Sequence, residues 1–125
     1  MNKRILVVED QEDNRVILRD LLSTAGYELI EATNGQEGVE LAQKERPDLI
    51  LMDIQLPVID GYEATRRIKG DAALESIPII AVTSYALSGD EAKARQAGCD
   101  GYVTKPFSPR QLLAKVREYL PSGDG

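Results

Sequence analysis

The sequence predicts an open α/β fold with a parallel sheet and helices on both of its faces. Three observations carry this reading. Five short apolar runs alternate with helix-length amphipathic segments along 125 residues. The runs are rich in Val, Ile and Leu, as strands buried on both faces should be. Alternation of this kind demands parallel strands joined by right-handed crossovers. The expected strands are Ile5–Val8, Glu28–Ala32, Leu49–Met52, Ile77–Thr83 and Gly101–Thr104. The second is the most polar and is expected at an edge.

The helical segments have readable ends. The first places Leu18, Leu21, Leu22 and Ala25 at helical spacing and stops at Gly26. The second starts around Thr33-Asn34 and cannot continue past Arg46-Pro47. The third follows Asp60, read as its cap, and Gly61, and ends at Gly70. The fourth is expected to open with a capping box at Ser88–Glu91, to bury Ala92, Ala94 and Ala97, and to end at Gly98. The fifth opens with a capping box at Ser108–Gln111, with Pro109 in the first turn. It is expected to bury Leu112, Leu113, Val116 and Leu120 and to close at Pro121. Residues 121–125 read as a flexible tail on a core of about 3–120, so the whole chain, 1–125, is read as one domain.

Composition excludes several classes of function. Hydrophobic residues make up 42% and charged residues 29%, a globular balance. No apolar run approaches the roughly 18 to 20 residues that a membrane span needs. The run after the basic start is too short for a signal-peptide core, so the expectation is a cytoplasmic protein without membrane insertion. One cysteine, Cys99, cannot form an internal disulfide. The net charge of −6 offers no broad footprint for nucleic acid. The chain has no histidine, which removes Ser-His-Asp and Cys-His catalysis and histidine metal sites together. Any metal must then be held by oxygen, which points to Mg²⁺, Mn²⁺ or Ca²⁺.

Ligands of open α/β sheets bind outside the carboxyl ends of the strands. The first strand runs into Glu9 and Asp10, the third into Asp53, the fourth into Thr83 and Ser84, and the fifth into Thr104, Lys105 and Pro106. Three carboxylates gathered there must share a proton or bind a cation. Mg²⁺ suits carboxylates and completes its shell with phosphate oxygens. Lys105 can pair with a phosphate as a point charge, and the Thr83 hydroxyl can donate to another phosphate oxygen. Asp53, alone at the end of the central strand, is the candidate nucleophile, since aspartyl phosphates are established chemistry. No Gly-rich phosphate loop follows the first strand, so the phosphoryl group should come from a partner or a small phosphodonor rather than from ATP.

With these residues in place, the sequence resembles the response-regulator receiver domains of bacterial two-component signalling. The motifs are Ile5-Leu-Val-Val-Glu-Asp10, Pro47-Asp-Leu-Ile-Leu-Met-Asp53-Ile-Gln-Leu-Pro57, Asp60-Gly61, Ile79-Ile-Ala-Val-Thr83-Ser84, Gly98-Cys-Asp-Gly-Tyr102 and Thr104-Lys-Pro106. Their order and spacing cover about residues 3–120. The resemblance implies a flavodoxin-like fold of strand order 2-1-3-4-5 with five helices. It implies that Asp53 accepts a phosphoryl group from a phosphohistidine on a sensor histidine kinase or a histidine phosphotransfer protein. Glu9, Asp10, Asp53 and the backbone carbonyl of Gln55 would bind Mg²⁺, with Mn²⁺ as a substitute. Thr83 and Lys105 would hold the phosphoryl oxygens, and Tyr102 would be an aromatic switch coupled to Thr83. Lys105–Pro106 would be a cis peptide.

The same resemblance implies that helix four, strand five and helix five form the surface that changes for a downstream protein. Helix one and the loop with Phe107 would dock the donor. Gln55 and Tyr85 occupy positions that tune dephosphorylation in the family. Gly89-Asp-Glu91 and Gly98-Cys99 resemble stand-alone receivers of the cell-cycle type, and the short polar tail fits a complete protein. Such a protein is a phosphoacceptor that assists its own chemistry rather than a turnover enzyme.

Three alternatives share parts of this logic. A receiver excised from a hybrid histidine kinase or a longer regulator would have the same sequence pattern. An Asp-nucleophile phosphatase usually carries a second Asp two residues past the nucleophile, where this chain has Gln55. A flavin module of the same fold would want more aromatic stacking surface than one Phe and no Trp provide.

Overall fold

The computed structural model describes residues 3–83 and 90–120. Its elements alternate without exception: β1 (Arg4–Val8), α1 (Glu12–Thr24), β2 (Glu28–Ala32), α2 (Gly35–Glu45), β3 (Leu49–Asp53), α3 (Gly61–Lys69), β4 (Ile79–Thr83), α4 (Asp90–Ala97), β5 (Gly101–Thr104) and α5 (Pro109–Tyr119). The five strands are parallel and lie in the order β2-β1-β3-β4-β5. This is the flavodoxin-like order, and β2 stands at an edge.

Side-chain alternation divides the core into two layers. Leu6, Val8, Ile50, Met52, Ile79 and Ala81 face the layer covered by α2, α3 and α4. Ile5, Val7, Leu49, Leu51, Ile80 and Val82 face α1 and α5. A strand packed on both sides has no polar face, which is why β1, β3 and β4 read as unbroken apolar runs.

Strand β4 begins at Ile79 rather than at Ile77. Pro78 has no N–H to give the ladder, although its carbonyl accepts from Ile50. Strand β3 extends one residue further than its apolar run, to Asp53, because the next amide, Ile54, still bonds to Val82.

Asn34, Asp60 and Ser108 cap α2, α3 and α5 with side-chain oxygens, and Ser108 and Gln111 complete a reciprocal capping box. Helix α5 buries Leu112 and Val116, Leu120 is buried just past its end, and Leu113 is half-buried at the margin. Each large aliphatic side chain so buried contributes roughly 1.5–3 kcal/mol. Helix α4 contrasts with it, burying only Ala94 and Ala97 among the described residues. Ala92 is exposed, contrary to expectation. Residues two apart on a helix do not share a face, whereas Ala94 and Ala97, three apart, do. Ser84, Tyr85, the Ser88 half of the expected capping box and the tail 121–125 lie outside the described residues.

Candidate functional site

Each strand delivers its last residues to one edge. Strand β1 ends one residue before Glu9, whose amide still bonds to the Ala32 carbonyl of β2 at 3.0 Å. Asp53 pairs in register with Val82, which places Thr83 one residue beyond that pair. Thr83 in turn pairs with Thr104, and its carbonyl accepts from the Lys105 amide at 2.7 Å. The ladder alone therefore brings residues from β1, β3, β4 and β5 to one place. Gly61, at the start of α3, lies against the same point: a Cβ there would run into the Asp53 carbonyl.

One carboxylate oxygen from each of Glu9, Asp10 and Asp53 lies within 4.8 Å of the others. Glu9 and Asp53 are buried, while Asp10 is half-buried. The Lys105 ammonium spans two of them, at 2.7 Å from Glu9 Oε1 and 3.4 Å from Asp53 Oδ2. One ammonium against three carboxylates leaves excess negative charge. Two unit charges about 4 Å apart repel by roughly 4 kcal/mol at an effective dielectric near 20.

The consequences differ by residue. Burial drives the Asp53 carboxyl up to about 6, and the neighbouring Glu9 charge adds to this; the Gln55 amide and Lys105 oppose it. Burial also pushes Glu9 up. There the Lys105 hydrogen bond and the Gln11 amide outweigh burial and hold the carboxyl below its ordinary value. Burial depresses Lys105, but Glu9 and Asp53 more than compensate and raise it.

Backbone amides orient these carboxylates. Gln55 N–H donates to Asp53 Oδ1 at 2.9 Å, and Gln11 N–H donates to Glu9 Oε2 at 3.1 Å. The Gln55 side chain itself is exposed. Thr83 is buried at the end of β4. Tyr102 is half-buried in β5 and packs against the α2–α3–α4 layer. The Lys105–Pro106 peptide is cis. Beside Lys105, Asn14, Ile17, Leu18, Pro106 and Phe107 line a groove of about 400 Å³, and Ile17 is 57% exposed there. Asp60 caps α3 and Asp48 accepts the Arg4 amide. Cys99 is buried against Thr65.

One contact at the site lies outside the residues the sequence singles out. Arg15 Nη1 donates to the Glu9 carbonyl at 2.9 Å. A signal for it exists in the sequence. A cation in the first turns of a helix opposes the macrodipole, so Arg15, following so closely on an acidic pair, invites a local explanation.

The donor set is entirely oxygen with one ammonium, and it collects negative charge at a sheet edge open to ligands. Such a set can hold a hard divalent cation and a phosphate together.

The chain is similar to known proteins along nearly its whole length. The family model for the response regulator receiver domain matches residues 5–117. The polar-differentiation response regulator DivK of Brucella anthropi is 48% identical over 120 residues, covering 96% of this chain and 98% of that protein. Its counterpart in Brucella ovis is 46% identical over the same length and coverage. The receiver domain of a sensor histidine kinase from Pseudomonas aeruginosa, solved with magnesium in its active-site cleft, superposes with a TM-score of 0.90 at 38% identity. That match covers 98% of this chain and all of that one (100%). The chemotaxis protein CheY4 of Vibrio cholerae superposes at 0.91 with 29% identity, over 96% and 100% of the two chains. Among the described residues, no helix is long and apolar enough to cross a membrane.

Proposed function

The chain belongs to the response regulator receiver domain family of two-component signalling, and from that premise we propose that Asp53 is its phosphoryl acceptor. The donor is a phosphohistidine on a sensor histidine kinase or a histidine phosphotransfer protein. The observation that carries this reading is the Lys105 ammonium lodged between Glu9 and Asp53 inside a three-carboxylate cluster.

An Asp53 carboxylate oxygen attacks phosphorus as the P–N bond to the donor imidazole breaks. The bonding pair returns to the imidazole nitrogen, which then takes a proton from water. The Gln55 amide, on Asp53 Oδ1, orients the carboxylate for this attack. Lys105 and Thr83 hold the transferred oxygens, and each such charge-assisted hydrogen bond is worth about 1.5–3 kcal/mol. The oxygen donors fit Mg²⁺, with Mn²⁺ as its substitute; Glu9, Asp10, Asp53 and the Gln55 carbonyl would hold it. Bound there, the ion supplies neutralisation of the phosphoryl charge.

The donor docks on α1 and the loop after Lys105, where the groove with exposed Ile17 lies beside the reacting lysine. Phosphorylation then biases Thr83 and Tyr102. The α4–β5–α5 surface follows, and a downstream protein reads it. Moving a population from 1:99 to 99:1 takes about 5.5 kcal/mol, the order of two or three such hydrogen bonds. Helix α4 is suited to move, since Ala94 and Ala97 are its only buried anchors among the described residues. We read residues 3–120 as one receiver unit acting in the cytoplasm, with no direct nucleic-acid contact, and as a phosphoacceptor rather than a turnover enzyme. Gln55 stands where a phosphatase would carry its second Asp.

The test is intact mass after incubation with Mg²⁺ and phosphoramidate, for wild type and Asp53→Asn. One phosphoryl added to wild type alone is the expected result. A phosphoryl on both proteins would move the acceptor elsewhere. Steady release of phosphate from aryl phosphates would favour a phosphatase instead.

A further inference from the structure

Asp10 is the least supported carboxylate of the cluster. Among the described residues, its side chain has one hydrogen-bond partner, the exposed Gln11 side-chain amide at 3.3 Å. Glu9, by comparison, is held by Lys105 and by the Gln11 backbone. The direction of the Asp10 carboxylate therefore depends on the peptide plane before it, the one joining Glu9 to Asp10.

The plane before that one, joining Val8 to Glu9, is pinned to the edge strand, because the Glu9 N–H donates to the Ala32 carbonyl at 3.0 Å. The Glu9–Asp10 plane itself is held through its carbonyl. The Glu9 carbonyl accepts from Arg15 Nη1 at 2.9 Å. Arg15 is itself tethered to β2, with its Nε 3.6 Å from Glu31 Oε1. Glu31 is held in turn by both nitrogens of a guanidinium fork, Arg19 Nε and Nη2, each at 2.8 Å. A bidentate pair of this kind fixes orientation as well as charge. The Arg15 side chain is only 15% exposed and Glu31 27%, so neither is a freely solvated surface group.

We propose that Arg15 is a positioning residue for the cation site, set by Glu31, and that it acts by orienting the Glu9–Asp10 peptide. It touches neither the phosphoryl group nor the metal. The inference rests on the reading that Glu9 and Asp10 hold a divalent cation. Groups of this outer kind typically change metal affinity by about 10–100-fold in zinc sites, where they bond to the ligand side chain. A carbonyl contact one residue removed should sit at the lower end.

The experiment is calorimetric titration of Mg²⁺ into the metal-free full chain. Arg15→Ala is expected to bind about tenfold more weakly. Arg15→Lys is expected to weaken binding at least about threefold, because a single ammonium lacks the fork that reaches both the Glu9 carbonyl and Glu31. Glu31→Gln is expected to weaken it about threefold through loss of the tether. Arg66→Ala removes an exposed guanidinium on α3 and controls for net charge; its affinity stays near wild type. In phosphoramidate labelling the half-saturating Mg²⁺ concentration should rise by the same factor, while the rate at saturating Mg²⁺ is kept.

Arg15→Ala binding Mg²⁺ as wild type does, even with a lowered melting temperature, would overturn the proposal and leave Arg15 a merely structural residue. A lost plateau rate with unchanged half-saturation would overturn it too. Should Arg15→Ala not fold, Arg15→Lys and Glu31→Gln decide on the same terms. A wild type that does not bind Mg²⁺, or an Asp10→Asn variant that binds equally well, would instead bring down the underlying cation reading, and this inference with it.

Discussion

The two ends of the sheet use the same residue type in opposite ways. At the amino ends of the strands, Asp48 and Asp100 each precede a strand and repeat one arrangement. The Asp48 N–H donates to the Arg4 carbonyl, and its Oδ2 accepts the Arg4 N–H, both at 2.8 Å. The Asp100 N–H donates to the Ile79 carbonyl at 2.8 Å, and its Oδ2 accepts the Ile79 N–H at 2.9 Å. Each carboxylate thus pairs an amide that the start of a ladder would leave open. Lys69 adds a third bond by donating to Asp100 at 2.9 Å and to the carbonyls of Glu75 and Ile77. At the carboxyl ends, Glu9, Asp10 and Asp53 bring carboxylate oxygens within 4.8 Å of one another, with the Lys105 ammonium between two of them. The difference teaches what separates a structural acid from a chemical one. A carboxylate with local donors stabilises the fold, and one crowded among other acids stores unfavourable charge that a ligand can relieve.

The largest test of this contrast is Asp53→Asn in chelator. The folded Asp53 carboxyl, near 6, lies above its ordinary value of 3.8. Between these values the native state binds more protons than the unfolded one, so stability from this group is full below about pH 4 and is lost as pH rises through about 6. The lost amount approaches about 3 kcal/mol by linkage. Asparagine does not titrate, so the variant should exceed wild type by about 2 kcal/mol in urea unfolding at pH 8, and the gap should close toward pH 4. A less stable variant at pH 8 would break the comparison.

Asp100→Ala should act in the opposite sense. It strands the Ile79 amide and removes one partner of Lys69, costing about 2 kcal/mol with little dependence on Mg²⁺. A change near zero would mean that water replaces these bonds. Next in size, Mg²⁺ at about ten times its Kd should stabilise wild type by about 1.4 kcal/mol. Asp10→Asn should respond less at the same concentration, and equal melting shifts would remove Asp10 from the site. Smallest is Asp48→Ala, which loses a single amide acceptor and should cost about 1 kcal/mol. A larger loss than for Asp100→Ala would show that the Arg4 end of β1 matters more than its contacts suggest.

Much of this molecule can be read from local signals. The caps at Asn34, Asp60 and Ser108 are short-range patterns, and so are the unbroken apolar runs of β1, β3 and β4. Where the structure departs from these patterns, local backbone geometry overrides apolar character. Ile77 is apolar and buried, yet Pro78 delays pairing until Ile79. Ala92 is small and apolar, yet helical geometry turns it away from Ala94. Arg15 could be suspected from its place near a helix start, but its partners are the Glu9 carbonyl and a glutamate on another strand.

The sequence by itself determined the alternation of strands and helices, the carboxyl-end location of Glu9, Asp10, Asp53, Thr83 and Lys105, and the oxygen-only donor set. Those follow from periodicity, capping chemistry and the absence of histidine, all of which are properties of the chain read in order. Only the tertiary structure decided how close the three acids stand, which two of them Lys105 spans, and how β2 reaches the Glu9–Asp10 peptide through Arg15 and Glu31. The physical reason is range. Local preferences act over a few residues, whereas these distances are set by strand register and by ion pairs between elements far apart in sequence.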